Sequence, residues 1–164
     1  MTFVRTTAIN KILALEKRKR VIQGGTSAGK TFGILPILLQ KAGNTPRLEI
    51  SVVSESVPHL RRGAIKDFLK ILGLTQRTRY VDWNKSLLTA TFNNGSYIEF
   101  FSADQESRLR GARRNILYIN EANNVDFESY YQLAIRTSGE IYLDFNPTSE
   151  FWAHKEVLIE DDAE

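Results

Sequence analysis

The chain has no cysteine, which excludes disulfides and thiolate metal sites and is consistent with a reducing compartment. Its two histidines are too few for a convincing zinc site. Long apolar runs are also missing: "FGILPILL" (32 to 39), the most apolar helical stretch, is too short to span a bilayer and contains Pro36. The start, "MTFVRTTAINK", lacks the apolar region of a signal peptide. Internal repeats, low-complexity segments and Gly/Ser-rich linkers are absent too, so no domain boundary is indicated. The expectation is a soluble, intracellular protein with no membrane segment.

What the chain does contain suits one compact domain: 164 residues, 42% hydrophobic and 10% aromatic. A net charge of +3 is compatible with a nucleic-acid partner and does not require one. Basic residues cluster at "EKRKR" (16 to 20), "HLRRG" (59 to 63) and "SRLRGARRN" (107 to 115), whereas the end, "IEDDAE", is acidic. Such clusters are most often solvated faces.

Strand and helix signals alternate. "RVIQ" (20 to 23) reads as a strand, residues 30 to 41 as a helix, and "RLEISVVS" (47 to 54) as a strand buried on both faces. Residues 58 to 72 read as a helix, with Leu60, Ala64, Phe68 and Leu72 recurring every fourth position. In "LLTATFNNGSYIEFFSA" (87 to 103) the Asn94-Gly95 pair signals an antiparallel hairpin, because both residues tolerate positive φ. "ILYI" (116 to 119) is a buried strand, 125 to 137 a helix, and "EIYLDF" (140 to 145) a strand closed by Asn146-Pro147. The order implies an α/β fold of three layers: a mostly parallel sheet, helices on both faces and an inserted antiparallel hairpin.

The sharpest motif is "GGTSAGKT" (24 to 31), which fits the G-x-x-x-x-G-K-T/S phosphate loop at every fixed position. Gly24, Gly25 and Gly29 let backbone N–H groups wrap a phosphate, with Thr26, Ser27 and Ala28 completing the loop. Lys30 can reach the β- and γ-phosphates, and the Thr31 hydroxyl can be offered to Mg²⁺, at the positive end of a helix. ATP as substrate and Mg²⁺ as cofactor follow from that chemistry. A strand before and a helix after are the setting the motif requires.

"ILYI" ends at Asn120-Glu121, on a strand expected next to the phosphate loop. At a strand's carboxyl end Glu121 can polarise the water that attacks the γ-phosphate. Asn120 fills the place usually held by the Mg²⁺-side Asp; its amide can still accept from a metal-bound water, but one negative charge is lost. Weaker Mg²⁺ retention is expected.

With both motifs in place the chain resembles the N-terminal ATPase domain of tailed-phage terminase large subunits. "VIQGGTSAGKT" resembles the family's doubled-glycine loop, "SVVSESVPHLRRGAIKDF" its second strand and following helix, "INEAN" its acidic motif, and "YLDFNPTSEFW" its Asn-Pro segment. The resemblance implies a three-layer P-loop NTPase fold of RecA/ASCE-like architecture over residues 1 to 164. It also implies ATP hydrolysis coupled, through Asn146, to packaging of double-stranded DNA into procapsids. Asn146-Pro147 read without it is a strand-ending turn. It further implies an arginine supplied across a homo-oligomeric ring, a place that Arg110 matches best, ahead of Arg108, Arg113 and Arg114. Thr26 stands where some relatives carry a loop arginine, which weakens the case for one acting in cis. The adenine pocket is placed by analogy around residues 6 to 11.

Portal protein and terminase small subunit are the implied partners, and the cytoplasm of an infected bacterium the implied location, outside the mature virion. The family's C-terminal nuclease domain is expected to be absent from this chain. Two rivals stand beside this reading: a helicase or recombinase-like ATPase on single strands, and a nucleotide-binding switch with little turnover.

Overall fold

A computed structural model describes residues 6–24, 27–147 and 150–164, apart from the side chains of Ser27, Ala28 and Arg77. Gly25 and Thr26 of the phosphate loop therefore lie outside the described residues, as do the side chains of Ser27 and Ala28.

The elements in chain order are α1 (Thr7–Leu13), β1 (Lys19–Gln23), α2 (Ser27–Asn44), β2 (Glu49–Ser54), α3 (Val57–Leu60), α4 (Lys66–Leu74), β3 (Val81–Asn84), β4 (Thr89–Phe92), β5 (Tyr97–Ser102), α5 (Glu106–Gly111), β6 (Ile116–Ile119), α6 (Phe127–Ala134) and β7 (Ile141–Phe145). A π-helical turn, Arg61–Ile65, joins α3 to α4, so the expected 58 to 72 helix is real but carries a wide turn. Among the described residues no helix is long and apolar enough to cross a membrane.

The seven strands form one sheet in the order β1-β7-β6-β2-β5-β4-β3. Pairing is parallel from β1 through β5 and antiparallel from β5 through β3. The expected antiparallel hairpin is β4–β5, inserted between α4 and α5 along the chain, and its second strand, β5, pairs in parallel with β2. One sequence expectation needs correction: the strand that ends at Asn120-Glu121 is not next to the phosphate-loop strand, because β7 lies between β6 and β1. Strand adjacency cannot be read from chain order when crossovers are right-handed and of variable length. The sequence reading also missed α1, β3 and α5, all short.

Burial follows the layers. β2, β6 and β7 are buried almost throughout, while β3 and β4 alternate between buried and exposed positions, as expected of an antiparallel margin. One core packs α1, α2 and α4 on one face of the sheet, with Ile12, Ile34, Leu38 and Phe68 against Val52, Tyr118 and Tyr142. The other packs α5, α6 and the 153–163 segment, with Leu109, Leu133 and Val157 against Val53, Leu117, Ile119 and Leu143. Strand alternation thus points Tyr118 and Tyr142 toward the α2 face.

Side-chain caps fix several helix ends. The Asp126 carboxylate accepts from the Ser129 N–H at 2.7 Å at the start of α6. The hairpin turn closes α2: Asn94 donates from Nδ2 to the carbonyls of Ala42 at 2.8 Å and Gly43 at 3.2 Å, beside Gly95 at φ +85°. The pair that signals a hairpin also caps the helix that begins at the phosphate loop.

Candidate nucleotide site

Four parallel strands deliver their carboxyl ends to one edge of the sheet. The phosphate loop follows β1, Asn146 follows β7, Asn120 and Glu121 follow β6, and Ser54 ends β2. The sequence-predicted residues Gly24, Lys30, Thr31, Asn120, Glu121 and Asn146 are brought to this edge.

Lys30 is folded back on its own loop. Its Nζ donates to the Gly24 carbonyl at 2.8 Å, the Phe145 carbonyl at 2.8 Å and the Asn146 Oδ1 at 2.7 Å. A Cβ on Gly24 would come within 2.9 Å of the Lys30 Cδ, so glycine there makes room for the lysine stem. Burial lowers the Lys30 amine below its ordinary pKa, and the charges of Asp144 and Glu121 oppose that fall. The lysine expected to bind phosphate and the asparagine expected to couple movement are therefore in direct contact.

At the end of β6, Asn120 is buried and fully engaged. Its N–H donates to the Val53 carbonyl at 2.8 Å, its Oδ1 accepts from the Ser54 hydroxyl at 3.3 Å, and its Nδ2 donates to the Asp144 Oδ2 at 3.2 Å. The π-helical turn backs onto it, since a Cβ on Gly63 would lie 3.8 Å from the Asn120 Oδ1. Glu121 adopts φ 53° and ψ 58°, a left-handed conformation unusual for a residue with a side chain. Its Oε2 lies 2.5 Å from the His59 Nε2.

Asp144 is the centre that sequence reasoning overlooked. Completely buried on β7, its carboxylate accepts hydrogen bonds from the Tyr118 hydroxyl, the Asn120 amide and the Glu121 N–H. Burial raises its pKa above the ordinary carboxylate value, and those donors together with Lys30 pull the other way. Tyr118 also hydrogen bonds with Thr31, and burial next to Asp144 pushes its phenol well above the usual range. A sequence signal did exist: an acid inside the otherwise apolar run "IYLDF", where unpaired carboxylates are rare. His59 was read only as part of a helix and a basic cluster.

Mg²⁺ suits this donor set. It is bound through one or two carboxylates, substrate phosphates and retained waters rather than a dedicated protein cage. Thr31 offers a hydroxyl, and Asp144 and Asn120 stand behind it. Among the described residues no cluster of three or more His, Cys, Asp or Glu side chains could hold a metal alone.

A cavity of about 280 Å³ lies beside the loop, lined by Ala8, Lys11, Ile12, Ile22, Gln23, Gly24, Gly29 and Lys30. Its wall from α1 coincides with the segment expected to hold the base. A larger cavity of about 460 Å³ sits at the C-terminal end of α2, away from the strand ends, with no charged side chain in its lining.

Arg110 is exposed on α5 and contacts none of this cluster among the described residues. Arg108 pairs with Glu99 at 3.0 Å and lies over the Phe101 ring. Arg114 is neither solvated nor available to DNA: it is buried and donates to the Ser51 hydroxyl and to the carbonyls of Leu133 and Ala112. The "EKRKR" cluster is largely occupied as well, because Lys19 pairs with Glu160 and Asp162, Arg18 with Asp162, and Arg20 with Glu140.

A sequence profile described as phage terminase large subunit matches residues 16–164. None of the curated proteins compared with the chain matches it. Among solved structures, the large terminase of a thermophilic bacteriophage superimposes with a TM-score of 0.81 at 17% identity, covering 96% of this chain and 44% of that one. The same protein in complex with ATP-γ-S gives 0.78 at 18% identity, over 96% of this chain and 43% of that one. The large terminase ATPase domain of Thermus phage P74-26 gives 0.74 at 14% identity, over 93% of this chain and 69% of that one. At these identities the superpositions establish the fold, and the chain spans under half the length of the first of these terminases. The profile match runs through the phosphate loop, the acidic strand end and the Asn-Pro segment alike, and the chain belongs to the phage terminase large subunit family.

Proposed function

We propose that this domain hydrolyses ATP and that its turnover drives double-stranded DNA into a procapsid. The observation that carries the reading is the convergence of Lys30, Thr31 and Glu121 at one sheet edge, with Asn146 touching Lys30. The solved complexes of the thermophilic-phage terminase with ATP-γ-S and with ADP support a nucleotide in the corresponding place.

The steps follow from the side chains. The base packs in the cavity between α1 and the loop, and backbone N–H groups of the loop take the phosphates. Lys30 swings from Phe145 and Asn146 to the β- and γ-phosphates, since its three donors cannot serve both sets. Thr31 would hold Mg²⁺ through its hydroxyl, and the bound ion would supply charge neutralisation at the phosphates. Glu121, released from His59, accepts a proton from the attacking water. Asn146, having lost Lys30 as a partner, is free to reorient with the segment after β7, and in this way hydrolysis reaches the DNA-moving parts.

The assembled motor is a homo-oligomeric ring on a portal protein, working with the small subunit in the cytoplasm of the infected bacterium and leaving the mature virion. Residues 1 to 164 carry no nuclease activity in this proposal. The decisive experiment is Glu121→Gln. Turnover should fall by about 10² to 10⁴ while nucleotide affinity holds, as expected when a general base is lost. Parent-rate turnover in that variant would remove Glu121 as the base, and preference for single strands over duplex in a competition assay would favour the helicase reading.

A further inference from the structure

The β6–β7 register holds the answer to the missing metal-side acid. Tyr118 pairs with Tyr142 and Ile119 with Leu143, so the next positions along the two strands are Asn120 and Asp144. Alternation places both on the face carrying α2, and therefore Thr31. The contact is made: the Asn120 Nδ2 donates to the Asp144 Oδ2 at 3.2 Å. On the same face, Tyr118 links Asp144 to Thr31.

We propose that Asp144, on the strand lying between the phosphate-loop strand and the Glu121 strand, supplies the metal-side carboxylate that Asn120 lacks. The inference rests on the ATPase reading above. Two acids, Glu121 and Asp144, then serve the site across two strands, the same charge that an Asp-Glu pair would place on one. Asn120 acquires a different task. Its amide donates to Asp144, which an ionised carboxylate on the same backbone position could not do; two like charges would instead face each other at hydrogen-bond distance. The two residues are a matched pair.

Capacity and access both favour the role. A carboxylate offers about four acceptor directions, and three donors use it here, which leaves room for a metal-bound water. No Lys or Arg forms an ion pair with Asp144 among the described residues, so its charge is not consumed structurally. Asp144 is fully enclosed in this conformation, and the Lys30 amine is bonded to Phe145 and Asn146, the two residues that follow it. Withdrawal of Lys30 to the phosphates is the movement that opens a path. Asp144 is thus a positioning residue that acts through water. The purely structural alternative is that it only holds the left-handed Glu121 by accepting from its N–H.

A binding experiment separates the two. Affinity for a fluorescent, non-hydrolysable ATP analogue is measured with Mg²⁺ and with EDTA for the parent, Asp144→Asn, and the exchange variant that combines Asn120→Asp with Asp144→Asn. The parent should bind more tightly with Mg²⁺. Asp144→Asn should reduce that Mg²⁺ advantage by about 10- to 100-fold, the usual cost of losing an outer-sphere partner, with affinity in EDTA retained. The exchange variant should recover most of the advantage, because the charge returns on the neighbouring strand. A structural role moves folding and leaves the Mg²⁺/EDTA ratio at the parent's value, which overturns the proposal. So does an exchange variant that fails to fold or shows no recovery; where Asp144→Asn itself does not fold, the exchange variant decides. A parent that binds the analogue under neither condition overturns the ATPase reading itself, and the inference with it.

Discussion

Glu121 holds its conformation at a cost in backbone energy. A non-glycine residue in the left-handed region is strained by on the order of 1–3 kcal/mol, and such strain persists where neighbours over-determine it. Here Asp144 fixes the N–H and His59 holds the carboxylate from the other side. The His59 contact occupies the Glu121 Oε2; if Glu121 is the base proposed above, this residue of α3, just after β2, would act as a brake on basal turnover. His59→Ala should raise the kcat of the isolated chain several-fold with little change in KM, the effect of removing a hydrogen bond worth roughly 1 kcal/mol from the resting state. Steady-state kinetics check this. A fall in kcat would mean instead that His59 holds Glu121 in its working position.

At the scale of elements, the segment after β7 and the helix after β1 compete for one amine. Asn146 takes Lys30 in the described conformation, and phosphate must displace it. Asn146→Ala removes the competitor, so ATP analogues should bind up to about tenfold more tightly, in keeping with a hydrogen bond to a charged group. If Asn146 couples as proposed, DNA-stimulated turnover should be lost at the same time. Isothermal titration and a DNA-stimulation assay read the two effects separately, and unchanged affinity would mean that the contact carries no exchange. The motif residues of this contact were legible: Lys30 and Asn146 each stood in a strand-end pattern with a chemical reason. Their contact was not, since it depends on β7 lying beside β1, which chain order does not reveal. Asp144 and Tyr118 were missed for the same cause. A residue that works by facing a neighbouring strand has no local spacing to announce it, whereas the phosphate loop is complete within one turn and so could be read directly. The hairpin was legible from Asn94-Gly95, but the pairing of its second strand with β2 was not, because turn chemistry fixes β4 against β5 and says nothing of β2.

The whole molecule limits which basic groups remain for partners. Folding uses Arg18, Lys19 and Arg20 against acids of the 140 and 160–162 regions, and buries Arg114, so two of the three basic clusters are partly internal. Arg110 and Arg113 on the α5 side, and Arg61 and Arg62 on the π-helical turn, stay exposed. An arginine acting across a ring must be exposed in its own subunit and useless to its own site, and Arg110 meets both conditions. Subunit mixing tests the consequence. Lys30→Ala should abolish turnover by loss of phosphate binding, and Arg110→Ala should lower it by about 10³ to 10⁵ for want of charge stabilisation in the transition state. Each variant then lacks what the other keeps. In assembled protein, equal mixtures should recover a substantial part of the parent's rate, since an intact loop will meet an intact arginine at some interfaces. Mixtures no more active than the sum of the two variants would place the stabilising arginine elsewhere, and Arg113, its exposed neighbour, would be the next residue to exchange.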